Sequence, residues 1–226
     1  MSLLSVKSLH KAYGKKESRF EALRGISLDI EEGESIAIIG KSGSGKSTLM
    51  HVLALLDKPT EGSVKIDGVQ SNKLKAKELN KLRNQRFGFV FQQFFMNAND
   101  TVLNNVILPL KIAGVPFGER KKRAMKALKT VELENKAKSK AIDLSGGQKQ
   151  RVCIARALVN DPKVIFADEP TGNLDSTTGR MIEDLLFDLN KDQGITLIIV
   201  THDADLAKRC DRQIHIKDGQ LMGEEK

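Results

Sequence analysis

The sequence predicts an α/β fold: a mostly parallel sheet covered by helices, an antiparallel β part at the N-terminus and an inserted helical segment. Three observations carry this. Short β-branched runs alternate with helical patterns, which is how parallel sheets covered on both faces read. The run "SIAII" leads straight into "GKSGSGKST" and then into an apolar helical stretch, a strand–loop–helix order. The segment 94–141 breaks the alternation and reads mostly as helix.

Taken in order, "SLLSVKSL" and "ISLDI" read as the first strands, and "SIAII", Ser35 to Ile39, is a buried strand by its continuous apolar run. "STLMHVLALL" follows as a helix, and "SVKID" and "FGFVF" return to strand. In the insertion, "TVLNNVILPLKIA" is helical, and a basic helix follows in which Ala124, Ala127, Leu128 and Val131 recur at helical spacing. "KVIFAD", Lys163 to Asp168, "TLIIV", Thr196 to Val200, and "RQIHI" close the chain as strands with helices between them. The expected division is an α/β core over 1–93 and 142–226, with a helical subdomain over 94–141.

Composition bounds the function. With 226 residues, 40% apolar and 29% charged, the chain can bury a sizeable core. The net charge of +8 favours anionic partners such as nucleotides, nucleic acid or lipid headgroups. It is uneven: nine Lys/Arg stand against three Glu from Glu119 to Lys140. That run reads first as a solvated basic face and second as a surface for anionic lipid. Cys153 and Cys210 lack metal or paired spacing and suggest ordinary packing in a reducing compartment. The opening "MSLLSVKSLHK" has no apolar h-region, so no signal peptide is expected. The longest mainly apolar run, "VILPLKIAGV", is too short to span a bilayer and is broken by Lys111. A membrane path therefore has to come from a partner.

"GKSGSGKST", Gly40 to Thr48, matches G-x-x-x-x-G-K-[ST]. Its glycines let backbone amides close around phosphate oxygens, and the helix start adds partial positive charge. Gly40, Lys41, Ser42, Gly43, Ser44, Gly45, Lys46, Ser47 and Thr48 are therefore nucleotide candidates. Lys46 is expected to reach the β- and γ-phosphates, and the Ser47 hydroxyl to ligate Mg²⁺. "VIFADEP" ends a buried strand in Asp168 and Glu169, where ligands of parallel sheets collect. Asp168 is the expected Mg²⁺ carboxylate and Glu169 the base that polarises the attacking water. His202, after "TLIIV", can hydrogen-bond a γ-phosphate oxygen and the water. Gln92, after "FGFVF", can touch both Mg²⁺ and the water through its amide oxygen. Tyr13, the only tyrosine, is a candidate for stacking on adenine; packing on the core is the competing reading.

A second anion-binding helix start lies at "IDLSGGQKQR", where Ser145, Gly146 and Gly147 open a helix. With it the chain resembles the ABC-transporter ATPase family over nearly its whole length. The motifs stand in order: "YG" at Tyr13, "GKSGSGKST", Gln92, "LSGGQ" ending at Gln148, "VIFADEP", "NLDS" with Asp175, and "TH" with His202. The resemblance implies a P-loop NTPase core of the RecA-like kind and ATP with Mg²⁺ as ligands. It also implies head-to-tail pairing with a second ATPase subunit, expected to be identical. Ser145, Gly146 and Gly147 then serve the partner's nucleotide, and Gln148 and Asp175 count among the nucleotide-binding residues. It further implies a transmembrane permease, a peripheral place on the cytoplasmic face, and no nucleic acid. Phe94, Phe95 and Met96 either line a groove for a permease helix or belong to the subdomain's core.

"LLDKPTEGSVKIDG" and "GFVFQQF" are similar to the branch with macrolide and peptide exporters and lipoprotein-releasing ATPases. Lys41 departs from a place often held by proline, and "FFMNANDTVLNN" from the usual leucine- and proline-bearing run. The alternatives are a soluble ABC ATPase acting on nucleic acid or the ribosome, and a P-loop small-molecule kinase. The first usually carries two cassettes or a long coiled-coil insertion, and this chain has one cassette and no sustained heptads. The second leaves "LSGGQ" and the strand-end histidine unexplained.

Overall fold

A computed structural model describes residues 2–15 and 18–225. In chain order the elements are β1 Ser2–Tyr13, β2 Phe20–Glu31, β3 Ser35–Ile39, α1 Lys46–Leu53, β4 Glu61–Ile66, β5 Val69–Gln70, α2 Ala76–Arg86 and β6 Phe87–Phe91. They continue as α3 Val102–Ile112, α4 Phe117–Thr130, α5 Gly146–Leu158, β7 Val164–Asp168, α6 Ser176–Gln193, β8 Thr196–Val200, α7 Ala204–Lys208, β9 Arg212–Lys217 and β10 Gln220–Glu225. The chain forms two compact units, one of Met1–Arg83 with Thr196–Lys226 and one of Asn84–Ile195.

The first unit holds an antiparallel sheet in the order β2-β1-β4-β5, the expected N-terminal β part. Its inward positions alternate, so that Leu4, Val6, Leu9, Leu23, Ile26, Leu28, Ile30, Val64 and Ile66 are buried. Beside it β3 runs parallel to β8 and β9, with Ile38 opposite Val200 and Ile214, and β10 returns antiparallel on β9. All five residues of β8 are buried, as a strand covered on both faces requires.

The second unit pairs β6 with β7 in parallel, from Phe87 opposite Val164 to Phe91 opposite Asp168. Phe87 meets Phe166 edge-on at 5.1 Å and Phe89 stacks on it at 5.7 Å, so aromatics fill this sheet's core. The helices α3 and α4 form most of the run expected over 94–141. Thr101 caps α3 by accepting from the Asn104 N–H. In α4 the periodic Ala124, Ala127 and Leu128 are buried, with Val131 just beyond, and Lys121, Lys122, Lys126 and Lys129 are exposed. The basic run is thus an amphipathic helix with a solvated cationic face.

Three details differ from the sequence reading. The helix expected through Leu56 ends at Leu53, because Leu55 takes a left-handed conformation, φ 55°, and Leu56 turns out to 44% exposure. The first two strands are longer than "SLLSVKSL" and "ISLDI", because they pair as a hairpin out to Tyr13 and Phe20. Helix α2 carries no buried residue and so leaves no apolar period to read.

Candidate functional site

In the first unit the loop from Gly40 to Gly45 leaves β3 and opens α1 at Lys46. Two glycines are required here. Gly45 has φ 107°, and a Cβ on it would lie 2.7 Å from the Ala22 carbonyl oxygen. At Gly40 a Cβ would lie 2.2 Å from the Ile216 oxygen. The Lys46 ammonium donates to the Gly40 carbonyl at 2.8 Å and the Lys41 carbonyl at 3.0 Å, so the cation sits at the loop's centre. Ser44 is buried, and its Oγ has no hydrogen-bond partner among the described residues. A buried, unanswered hydroxyl in a loop of left-handed turns suits an anion supplied from outside. Ser47 is exposed at the first turn of α1, while Lys41, Ser42 and Gly43 form the exposed rim and Thr48 is partly covered.

His202 is exposed two residues beyond β8. Because β3 and β8 run in parallel register, the loops starting at Gly40 and Thr201 leave the same sheet edge, joined where the Thr201 N–H donates to the Ile38 carbonyl. Tyr13 is 41% exposed, which rules out the core-packing reading. Its hydroxyl donates to Asp57 at 2.8 Å, and the Lys11 ammonium lies 4.7 Å from its ring centroid. Lys11, largely buried, also donates to Asp57 at 2.7 Å. Burial works to raise the Asp57 carboxyl, and hydrogen bonds from Lys11, Tyr13 and the Lys58 amide outweigh it and hold it below its usual value. Asp57 escaped the sequence reading because no motif marks it.

In the second unit Asp168 is the last residue of β7, and Glu169 follows with φ 46°. A left-handed non-glycine residue costs about 1–3 kcal/mol, strain that gathers where a side chain must be aimed. The parallel register puts Phe91 opposite Asp168, so Gln92 and Glu169 begin neighbouring turns at one edge. Gln92 is exposed and exchanges hydrogen bonds with Asn173: its Nε2 donates to Asn173 Oδ1 at 3.4 Å, and Asn173 Nδ2 donates to its carbonyl at 2.8 Å. Asn173 is a positioning partner that motif reading passed over, although it stands in "NLDS".

Ser145 caps α5 in a full capping box: its Oγ accepts from the Gln148 N–H at 3.3 Å, and Gln148 Oε1 accepts from the Ser145 N–H at 3.1 Å. The box takes up two amides of the helix start. Those of Gly146 and Gly147 are first-turn donors with no carbonyl one turn behind them. Gly147 has a packing role too, since a Cβ there would lie 2.4 Å from Thr178 Cγ2. Asp175 is exposed and caps α6 by accepting from the Thr178 N–H at 2.9 Å; the Thr178 hydroxyl first, and then this amide, hold its carboxyl below its usual range.

The sequence profile described as "ABC transporter" matches residues 23–172. The chain is 49% identical over 228 residues to an uncharacterized ABC transporter ATP-binding protein of Methanocaldococcus jannaschii, covering 99% of this chain and 97% of the relative. It is 44% identical over 220 residues to the lipoprotein-releasing system ATP-binding protein of Syntrophus aciditrophicus, covering 97% and 99%. It is 46% identical over 222 residues to the macrolide export ATP-binding/permease protein of Mannheimia succiniciproducens, but spans only 34% of that protein. Among solved structures, a dimeric bacterial ABC transporter cassette matches with TM-score 0.89, 48% identity and coverage of 99% and 98%. A post-hydrolysis dimeric state bound to ADP and Pi matches with TM-score 0.89, 47% identity and the same coverage.

Proposed function

Since this chain belongs to the ABC transporter family, we propose that it works as one of two cassettes that clasp ATP between them and drive a membrane permease. It is an ATP-binding subunit and an ATP hydrolase. The single observation that carries the proposal is the pair of phosphate-type helix starts in one chain, at Gly45–Lys46 and at Ser145–Gly147. Each cassette needs one of its own for the nucleotide. The other then serves a nucleotide held by a second copy, in a two-fold arrangement.

In this reading the amides of Gly40–Thr48 and the Lys46 ammonium bind the β- and γ-phosphates, and Tyr13 offers its ring to adenine. Ser145 and the amides of Gly146 and Gly147 close over the γ-phosphate of the partner's ATP, with Gln148 and Asp175 holding the two helix starts involved. Glu169 accepts a proton from the attacking water, which Gln92 and His202 orient. By donor type, the Ser47 hydroxyl, the Asp168 carboxylate and the Gln92 amide oxygen would each suit Mg²⁺ as hard ligands. When bound, that ion would supply positive charge against the phosphate oxygens. Loss of the γ-phosphate removes the charge-assisted bonds between copies and loosens the pair.

No helix among the described residues is long and apolar enough to cross a membrane. On the likeness to the macrolide export and lipoprotein-releasing proteins, we assign the membrane path to a permease and the cassette to its cytoplasmic face. Residues 94–141 are the proposed permease-facing part, with Phe95, 66% exposed, at its entry. The relatives' names favour export or extraction of amphiphiles such as lipoproteins, peptides or macrolides.

The test is Glu169→Gln. It retains binding and loses water activation, so an ATP-bound dimer should accumulate on gel filtration. A variant that stays monomeric at saturating ATP with its permease present contradicts the clasp. Ser145→Arg complements it: ATP binding persists and hydrolysis stops, because only the site offered to the partner is damaged.

A further inference from the structure

Gln150 lies in α5, five residues beyond the Ser145 cap, and is 1% exposed. Its carboxamide Nε2 donates to the Pro170 carbonyl at 2.6 Å and to the Phe91 carbonyl at 3.3 Å. Carbonyls only accept, so chemistry fixes which end of the amide faces them. Phe91 closes β6 immediately before Gln92, and Pro170 immediately follows the left-handed Glu169. One buried amide therefore ties together the two turns that carry the water-orienting glutamine and the proposed base.

The same face of α5 continues the hold. Cys153 Sγ donates to the Phe94 carbonyl at 3.1 Å, and the Arg156 guanidinium donates to the Phe95 and Phe94 carbonyls at 2.7 and 3.0 Å. Positions 150, 153 and 156 recur at three-residue spacing, so three successive side chains grip the backbone of 91–95. The helix also packs closely on β6, where a Cβ on Gly88 would lie 2.8 Å from the Ala157 carbonyl oxygen.

The amide carries a cost as well as two bonds. Gln150 Oε1 is buried with no hydrogen-bond partner among the described residues, a desolvation cost set against the two bonds its Nε2 donates. A methionine would fill the same space without the orphaned oxygen, and would leave the Phe91 and Pro170 carbonyls without this donor. We propose that Gln150 is a positioning residue for ATP hydrolysis: it fixes the turns of Gln92 and Glu169 to the helix that opens at Ser145–Gly147, so that the base and the helix start move as one body. This rests on the reading above, in which Glu169 activates the water. Polar groups that orient a base act mainly on turnover, and a misplacement of about 1 Å costs about a hundredfold.

The experiment uses the full chain with Gln150→Met, which keeps volume and removes the donor, and Gln150→Glu, which turns an acceptor toward two carbonyls. Each is made alone and with Glu169→Gln. Steady-state ATPase, binding of a fluorescent ATP analogue and thermal melts are the readouts. The expected result is a kcat about 10- to 100-fold lower with KM and analogue affinity within about threefold. In the Glu169→Gln background, Gln150→Met should change the residual turnover less than about twofold, because the group it positions is already gone. Wild-type kcat in Gln150→Met, or an equal fractional loss in both backgrounds, overturns the proposal. So does loss of a cooperative melt in both variants, which assigns Gln150 to folding. Should Glu169→Gln alone keep wild-type turnover, the reading of Glu169 itself fails, an outcome visible in that single variant.

Discussion

Replacing Gly147 by alanine tests whether the start of α5 is fixed by packing as well as by ligand chemistry. The added Cβ would sit 2.4 Å from Thr178 Cγ2, where carbon atoms normally rest about 3.5–4.0 Å apart. The two must therefore separate by more than about 1 Å. Thr178 has little freedom to yield: it is stiff at χ1, and its N–H is held by Asp175 at 2.9 Å. Overpacking of this kind costs about 1–3 kcal/mol. Alanine gains back about 0.5–1 kcal/mol over glycine in a helix, and less in the first turn. The net is a loss of about 1–2 kcal/mol, or about 2–8 °C in Tm for a chain of this size. Circular-dichroism melts of Gly147→Ala, Thr178→Ser and the double variant provide the assay. Serine lacks the clashing methyl, so the double variant should melt at or slightly above Thr178→Ser alone. A Gly147→Ala protein melting within about 1 °C of wild type, or a double variant no better than Gly147→Ala, refutes the steric reasoning. ATPase of the rescued double variant then reports, separately from the fold, whether turnover needs position 147 free of a Cβ.

Three other outcomes follow from the geometry. Asp57 has a carboxyl held below its unfolded value, so its stabilisation is present above about pH 4 and fades as pH falls through the depressed value; Asp57→Asn should lower Tm near neutrality and flatten its decline at acid pH, whereas an unchanged acid profile would contradict the Lys11–Asp57–Tyr13 cluster. Burial pushes the Cys153 thiol up to about 11 and, with help from Asp211, the Cys210 thiol up to about 12, so iodoacetamide at pH 8 should label neither in the native protein and both in urea; mass spectrometry reads the count, and fast native labelling would show that these sites open. Phe95→Asp should leave ATPase of the isolated cassette near wild type and abolish stimulation by the permease, with a fall in isolated activity counting against a docking role.

What the sequence disclosed and what it withheld divide along physical lines. Buried parallel strands such as Ile36–Ile38 and Val164–Ala167 announce themselves as unbroken apolar runs, and Gly40–Thr48 as a spacing few other chemistries need. The Ala124, Ala127 and Leu128 stripe gave α4 for the same reason. Helix α2 buries nothing and leaves no period, so only its three-dimensional setting reveals it. The end of α1 at Leu53, followed by the left-handed Leu55, carries neither glycine nor proline and runs against local preference. At the candidate site, residue types were legible and relationships were not. Ser145 and Gln148 read as an anion-binding start, and they are also each other's cap. Asn173, Asp57 and Gln150 act through hydrogen bonds across 20 to 81 positions of chain, which no local pattern encodes.

The lysine at the centre of the first loop has a consequence for how nucleotide is met. Lys46 already rests on the carbonyls of Gly40 and Lys41, and Gly40 and Gly45 are walled in by backbone oxygens. The bowl is therefore shaped by the chain's own contacts. On the proposed reading, that leaves ATP little ordering entropy to supply, and switching would reside in how firmly two such bowls are bridged rather than in the folding of either.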